Sequence, residues 1–145
     1  MKWLTRARVR MDRVACAWLV ARYVDRDAEF LFVDGDDILA RATEVGATPF
    51  VVPHAELGRR GDRITFEVML DKYGLIDPAL KKMAAIMRAA DVTALRGTCP
   101  EAEGVRAIVH GFFLLNLPDE QSLQLQMPVM DAVYRYCQEQ TRLDA

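Results

Sequence analysis

The chain has 145 residues, 52% of them hydrophobic and 28% charged, with a formal net charge of −2. That length and balance suit one domain with a buried core and exclude a disordered or low-complexity chain. The near-neutral charge gives no overall attraction to nucleic acid, so none is expected as a partner; no apolar run approaches the ~20 residues of a membrane span, so no membrane is expected either.

The basic start "MKWLTRARVR" and the apolar "VACAWLVA" outline a secretory leader. Asp12 and Arg13 precede the apolar run, however, and Arg22 follows it with no cleavage site, so no leader is expected. Instead "KWLTRAR" opens as a strand, and "MDRVACAWLVARYV" reads as an apolar helix with Asp12 as its N-cap. "AEFLFV" is a short strand between Asp-rich turns. "DDILARATEVG" is a helix ending at Gly46, and "TPFVVP" is a third strand ended by Pro53. This β-α-β-α-β order predicts an α/β fold with a small mixed or parallel sheet.

The second half reads as helices only. Thr65 is placed to cap "FEVMLDKYG", and Asp77 with Pro78 opens the next helix as N-cap and first residue. The core face of that helix is Leu80, Met83, Ala84 and Met87. "VTALRGTCPE" is a turn-rich connection. Glu101 and Glu103 then favour the start of a helix over about residues 102–116, apolar on nearly every side. Asp119 starts the last helix, with a stripe of Leu123, Met127, Met130, Tyr134 and Cys137; Pro128 is expected to kink or restart it.

Chemistry concentrates in "ELGRRGDRITFE", residues 56–67. Arg59, Arg60 and Arg63 offer planar donor forks. Gly58 and Gly61 allow close backbone approach, and a helix starting near Thr65 aims free N–H groups outward. Together with Arg13, these residues suit a tetrahedral oxyanion. The plainer alternative is a solvated loop whose arginines pair with Asp62 and Glu56. The segment "RARVRMDR" adds Arg6, Arg8 and Arg10 on one strand face, or a charge-protected edge strand. Asp12, His54, Glu67 and Asp91 are the candidate acids or metal ligands, although their spacing alone does not bring them together. His110 lies on an apolar helix, as a packed or interface histidine. Cys16, Cys99 and Cys137 form no C-x-x-C pair, which fits buried thiols in a reducing, cytoplasmic setting. There is no G-x-S-x-G, Walker A or dinucleotide motif.

The blocks "DRVACAWLVARYVDRDAEFLFV", "GATPF", "ELGRRGDRITFE", "YGLIDPAL" and "IMRAAD" occur in an order that resembles the ChrB-type chromate-resistance family, specifically the C-terminal region of ChrB proteins. The similarity runs from about Trp3 to Cys137. The D-R-x-A-C-x-W-L block, Asp12 to Leu19, is its most specific part. The resemblance implies a bacterial sensor or accessory protein of chromate efflux, with a role in stress response. Longer ChrB proteins carry a further N-terminal region thought to be regulatory. Without it here, a DNA-binding regulator is not expected. The chain departs from the family pattern where Val51 replaces an acid, Arg59 a histidine and Ile64 a cysteine. Glu67, Asp91, Asp12 and Arg13 remain.

Three functions follow as expectations. The first is an accessory or sensor protein that binds chromate or a sulfate-like oxyanion through Arg13, Arg59, Arg60 and Arg63. The second is an enzyme using a divalent metal on Asp and Glu ligands; otherwise no cofactor is expected. The third is a homodimeric interaction module with a decayed site, joined through the apolar helix near Phe112–Leu117 and the last helix.

Overall fold

The computed structural model describes residues 1–145. Three parallel strands, β1 (Lys2–Arg6), β2 (Glu29–Val33) and β3 (Thr48–Pro49), form a sheet in the order β2-β1-β3. Lys2 to Arg6 pair in register with Glu29 to Val33, and Trp3 and Leu4 pair with Thr48 and Pro49 on the other side. Six helices follow or intervene: α1 (Met11–Leu19), α2 (Ile38–Val45), α3 (Thr65–Lys72), α4 (Pro78–Asp91), α5 (Pro100–Leu114) and α6 (Asp119–Asp144). The α/β class and the helical second half therefore agree with the order of apolar periods in the sequence. The third strand is shorter than the apolar run 48–53, because Val51 turns into a positive φ of 52° and leaves the sheet.

Alternation along β1 separates two cores. Successive side chains of a strand point to opposite faces. Trp3 joins the main core with α1, α3, α4, α5 and α6, while Leu4 joins a small cluster with Ile38 and Ala42 of α2 and with Val52. The helices α1 and α2 thus cover opposite faces of the sheet. This is the outcome expected when one right-handed crossover runs from the central strand β1 out to β2 and the next runs back past β1 to β3.

Helix boundaries have local causes. Gly46 ends α2 in the left-handed region at φ 69°, where a side chain would be strained. Asp77 caps α4, its Oδ1 accepting from the Ala79 N–H at 2.8 Å, and Pro78 follows as the first residue. The expected face of Leu80, Met83, Ala84 and Met87 is buried. Helix α1 continues through a π-helical segment, Val20–Val24, and is tied to α6 where Asp131 accepts from Trp18 Nε1 at 2.7 Å and from the Arg22 guanidinium at 2.9 and 3.0 Å.

Three expectations change. Asp12 does not cap α1; Arg10 occupies that position, and Asp12 lies buried inside the first turn. Thr65 does not cap α3 but is its first helical residue, after Ile64. Pro128 neither stops nor restarts α6, which runs unbroken over 26 residues. Pro128 and Gln124 are both exposed, so water can satisfy the Gln124 carbonyl that a proline nitrogen leaves unpaired.

Asp77 also accepts a hydrogen bond from the Tyr134 hydroxyl of α6, so one carboxylate serves a cap and a helix–helix contact. Asp77→Ala should lower unfolding stability by about 1–3 kcal/mol in a denaturant titration, more than a cap alone; Asp77→Asn should retain much of it.

Candidate functional site

The loop after β1 leads into α1 and the long loop after β3 leads into α3, two helices that pack together in the main core. The loop after β1 is held from below. Arg8 has a positive φ of 62°, and the successive N–H groups of Arg8 and Val9 donate to the two oxygens of Asp119, at 2.9 and 2.8 Å. This grip sets the start of α1.

From there Asp12 reaches across the core. Its Oδ2 accepts from the Thr65 N–H at 3.1 Å, the first residue of α3, and its Oδ1 lies 3.4 Å from the Cys16 sulfur, whose thiol donates. Ile64 has no side-chain acceptor to cap α3, so the carboxylate comes from a residue 53 positions away. Glu67 completes the helix start by accepting from the Ile64 N–H at 3.2 Å and pairs with Arg88 at 3.1 Å. The helix N-terminus proposed as an anion cradle is therefore already occupied by two of the protein's own carboxylates.

Burial, and then the charge of Asp91, push the Asp12 carboxyl from 3.8 up to about 6, against the pull of the Cys16 and Thr65 hydrogen bonds and the Arg59 charge. Burial and the adjacent Asp12 likewise drive the Cys16 thiol well up. Asp91, the last residue of α4, is ion-paired with Arg59. Asp12, Asp91, Arg13 and Arg59 thus form one electrostatic cluster.

The other arginines of the basic turn go elsewhere. The backbones of Arg60 and Arg63 bond reciprocally at 3.1 and 2.9 Å around Gly61, whose φ of 59° closes the turn. Arg60 donates to the Glu56 carbonyl at 3.3 Å, and Arg63 pairs with Asp71. Both line a separate shallow cleft with Glu56 and Lys72. Glu56 is paired with Lys72, and Asp62 with Arg88, so the simple local pairing expected for a solvated loop is replaced by pairs to α3 and α4. His54 is exposed at φ 69°, and no hydrogen bond or ion pair joins it to Asp12, Glu67 or Asp91. No three His, Cys, Asp or Glu side chains gather in an arrangement that would hold a metal.

Beside the Asp91 wall opens a cleft of about 330 Å³, lined by Arg10, Arg96, Arg106 and His110 together with Met11, Ala90 and Val109. Arg6, Arg10, Arg13 and Arg96 enter no ion pair, whereas Asp91 is already held by Arg59. Arg13 is partly buried. Desolvation, then the charges of Arg6 and Arg10, push its guanidinium down, and its Nε has no hydrogen-bond partner. Arg106 is held by Glu103, so Arg10 and Arg96 are the unpaired cations of the cleft. Its residues come from the β1–α1 loop, the end of α4, the following connection and α5, which is why Arg96 and Arg106 did not stand out in the sequence. The alternation of Arg6, Arg8 and Arg10 was the signal that pointed there.

The ChrB C-terminal domain family matches residues 3–137 of this chain. The chain belongs to that family. It is also 33% identical over 139 residues to Protein ChrB of Cupriavidus metallidurans, a match that covers 93% of this chain and 40% of that protein. This domain therefore spans less than half the length of its curated ChrB relative. No solved structure matches it. No helix of the ChrB domain is long and apolar enough to cross a membrane.

The buried Asp12 gives this ChrB domain a signed pH dependence. Its carboxyl holds a proton more tightly in the folded than in the unfolded chain, so stability should fall as pH rises from about 4 to 6 and then level. The cost by neutrality is about 3 kcal/mol for a shift of this size. Asp12→Asn keeps an oxygen for Thr65 without the charge. It should flatten that slope and be the more stable form at about pH 8, measured by thermal unfolding across pH.

Proposed function

We propose that this ChrB-family domain serves chromate resistance by binding a small tetrahedral oxyanion, chromate or a sulfate-like ion, as an accessory or sensor module. The binding place is the cleft of Arg10, Arg96, Arg106 and His110, with Arg13 beside it. The observation that carries the reading is uncompensated positive charge: Arg10, Arg13 and Arg96 have no carboxylate partner, and they stand at the C-terminal edge of the sheet. Guanidinium forks match the oxygens of such an ion in direction as well as charge. Of the four arginines singled out in the sequence, Arg13 adjoins this cleft. Arg59 supports it indirectly by neutralising Asp91, which would otherwise repel an anion at the wall. Arg60 and Arg63 have no part in it. Three free cysteines suit the cytoplasm, where we place the protein.

Chromate and sulfate should each raise the melting temperature by mass action, by about 2.7 kcal/mol of stability at a hundredfold excess over Kd. Arg10→Gln with Arg96→Gln should abolish the shift, and Arg60→Gln should leave it intact. A shift lost in the Arg60 variant, or no shift at millimolar anion, contradicts this assignment of the site.

A further inference from the structure

Helix α5 buries only Ala102, Val105 and Val109. Its outer side is unusual for a chain that is 28% charged. From Gly104 to Asn116 the exposed residues are Gly104, Ala107, Ile108, His110, Gly111, Leu114, Leu115 and Asn116, with no acid, lysine or arginine among them. Leu114 is 67% exposed, Leu115 63% and Ile108 49%. Contiguous apolar surface of this kind marks an interaction face. The stripe of the last helix does not contribute to it. Leu123, Met130 and Cys137 point into the core, with Met127 and Tyr134 packed beside them.

We propose that this face of α5 is the contact between two copies of the chain, packed antiparallel about a twofold axis. Shape selects a second copy, on a face that carries no charge. Gly104, Ile108, Gly111 and Leu115 fall on one strip of the helix, at intervals of four, three and four residues. Reversing the helix about an axis near its middle sets Gly104 against Leu115 and Ile108 against Gly111. Each large side chain then meets a glycine, as a self-complementary interface requires. A Cβ placed on Gly104 or Gly111 would meet nothing within 4 Å inside its own chain, so the space above both glycines is open to a partner.

One helix pair with its flanking loops is a small contact, so the dimer is expected to be reversible and to depend on concentration.

Sedimentation equilibrium over a wide concentration range should give monomer and dimer in exchange. Leu115→Glu and Gly111→Glu should each yield monomer throughout, with the circular dichroism of the unmodified protein. A positional test uses a Cys99→Ser background, in which a chain carrying Ile108→Cys is mixed with one carrying Gly111→Cys. Oxidation should cross-link the mixture far more than either chain alone. A strict monomer at the highest concentration overturns the proposal. So does a dimer that persists unchanged in both glutamate variants, or cross-linking no greater in the mixture than in the separate chains.

Discussion

The site neighbourhood rests on one buried hydrogen bond, from the Thr65 N–H to the carboxylate of Asp12. It joins the first turn of α1 to the first turn of α3 across the core. The long segment between Phe50 and Ile64 is therefore anchored at its far end to a residue in the first turn of α1. The basic turn hangs on this anchor, and Arg59 is carried from it to Asp91 at the end of α4. Burying a carboxylate is costly in free energy, and the raised affinity of Asp12 for a proton expresses that cost. The bond answers a local deficiency. Ile64 fills the core at the start of α3 but brings no oxygen to cap it, and Asp12 brings the oxygen from elsewhere.

That arrangement marks the boundary of what the sequence makes legible. Regular elements were readable because their causes are local. Gly46 ends α2, Asp77 and Pro78 begin α4, and the stripes of α4 and α6 repeat at helical spacing. Asp12 was readable as a cap, but not as a cap of another helix. The partner of a carboxylate 53 residues away is set by packing, and no spacing rule carries that information. The same holds for the arginine turn. Its residues are clustered in sequence, yet Arg59 turns to Asp91 and Arg63 to Asp71, so one cluster is divided between two surfaces. Pro128 does not restart the helix, for a different reason. The cost of a proline in a helix depends on whether the freed carbonyl reaches water, and exposure is a property of the fold.

The candidate cleft is equally a product of topology. Arg10 lies far from Arg96 and Arg106 in the chain, and the latter two belong to no motif. The parallel sheet brings the loop after β1 to one edge, the grip of Asp119 fixes that loop, and the end of α4 and the middle of α5 close around it. Val51, Arg59 and Ile64, where the resemblance led to an expected departure from the family pattern, fall on the segment tied down by Asp12. Two of them have clear structural work, with Ile64 in the core and Arg59 balancing an acid.

The environment of Cys16 has a consequence for redox chemistry. The thiol is wholly enclosed, donates to a carboxylate and is held in its neutral form by burial. Cys137 is also shut in the core, its thiol pushed up to about 11 mainly by burial. Nucleophilic attack and electron donation by sulfur depend on the thiolate and on access. A domain built this way can meet a strong oxidant at its surface without spending the sulfur atoms on which its packing depends.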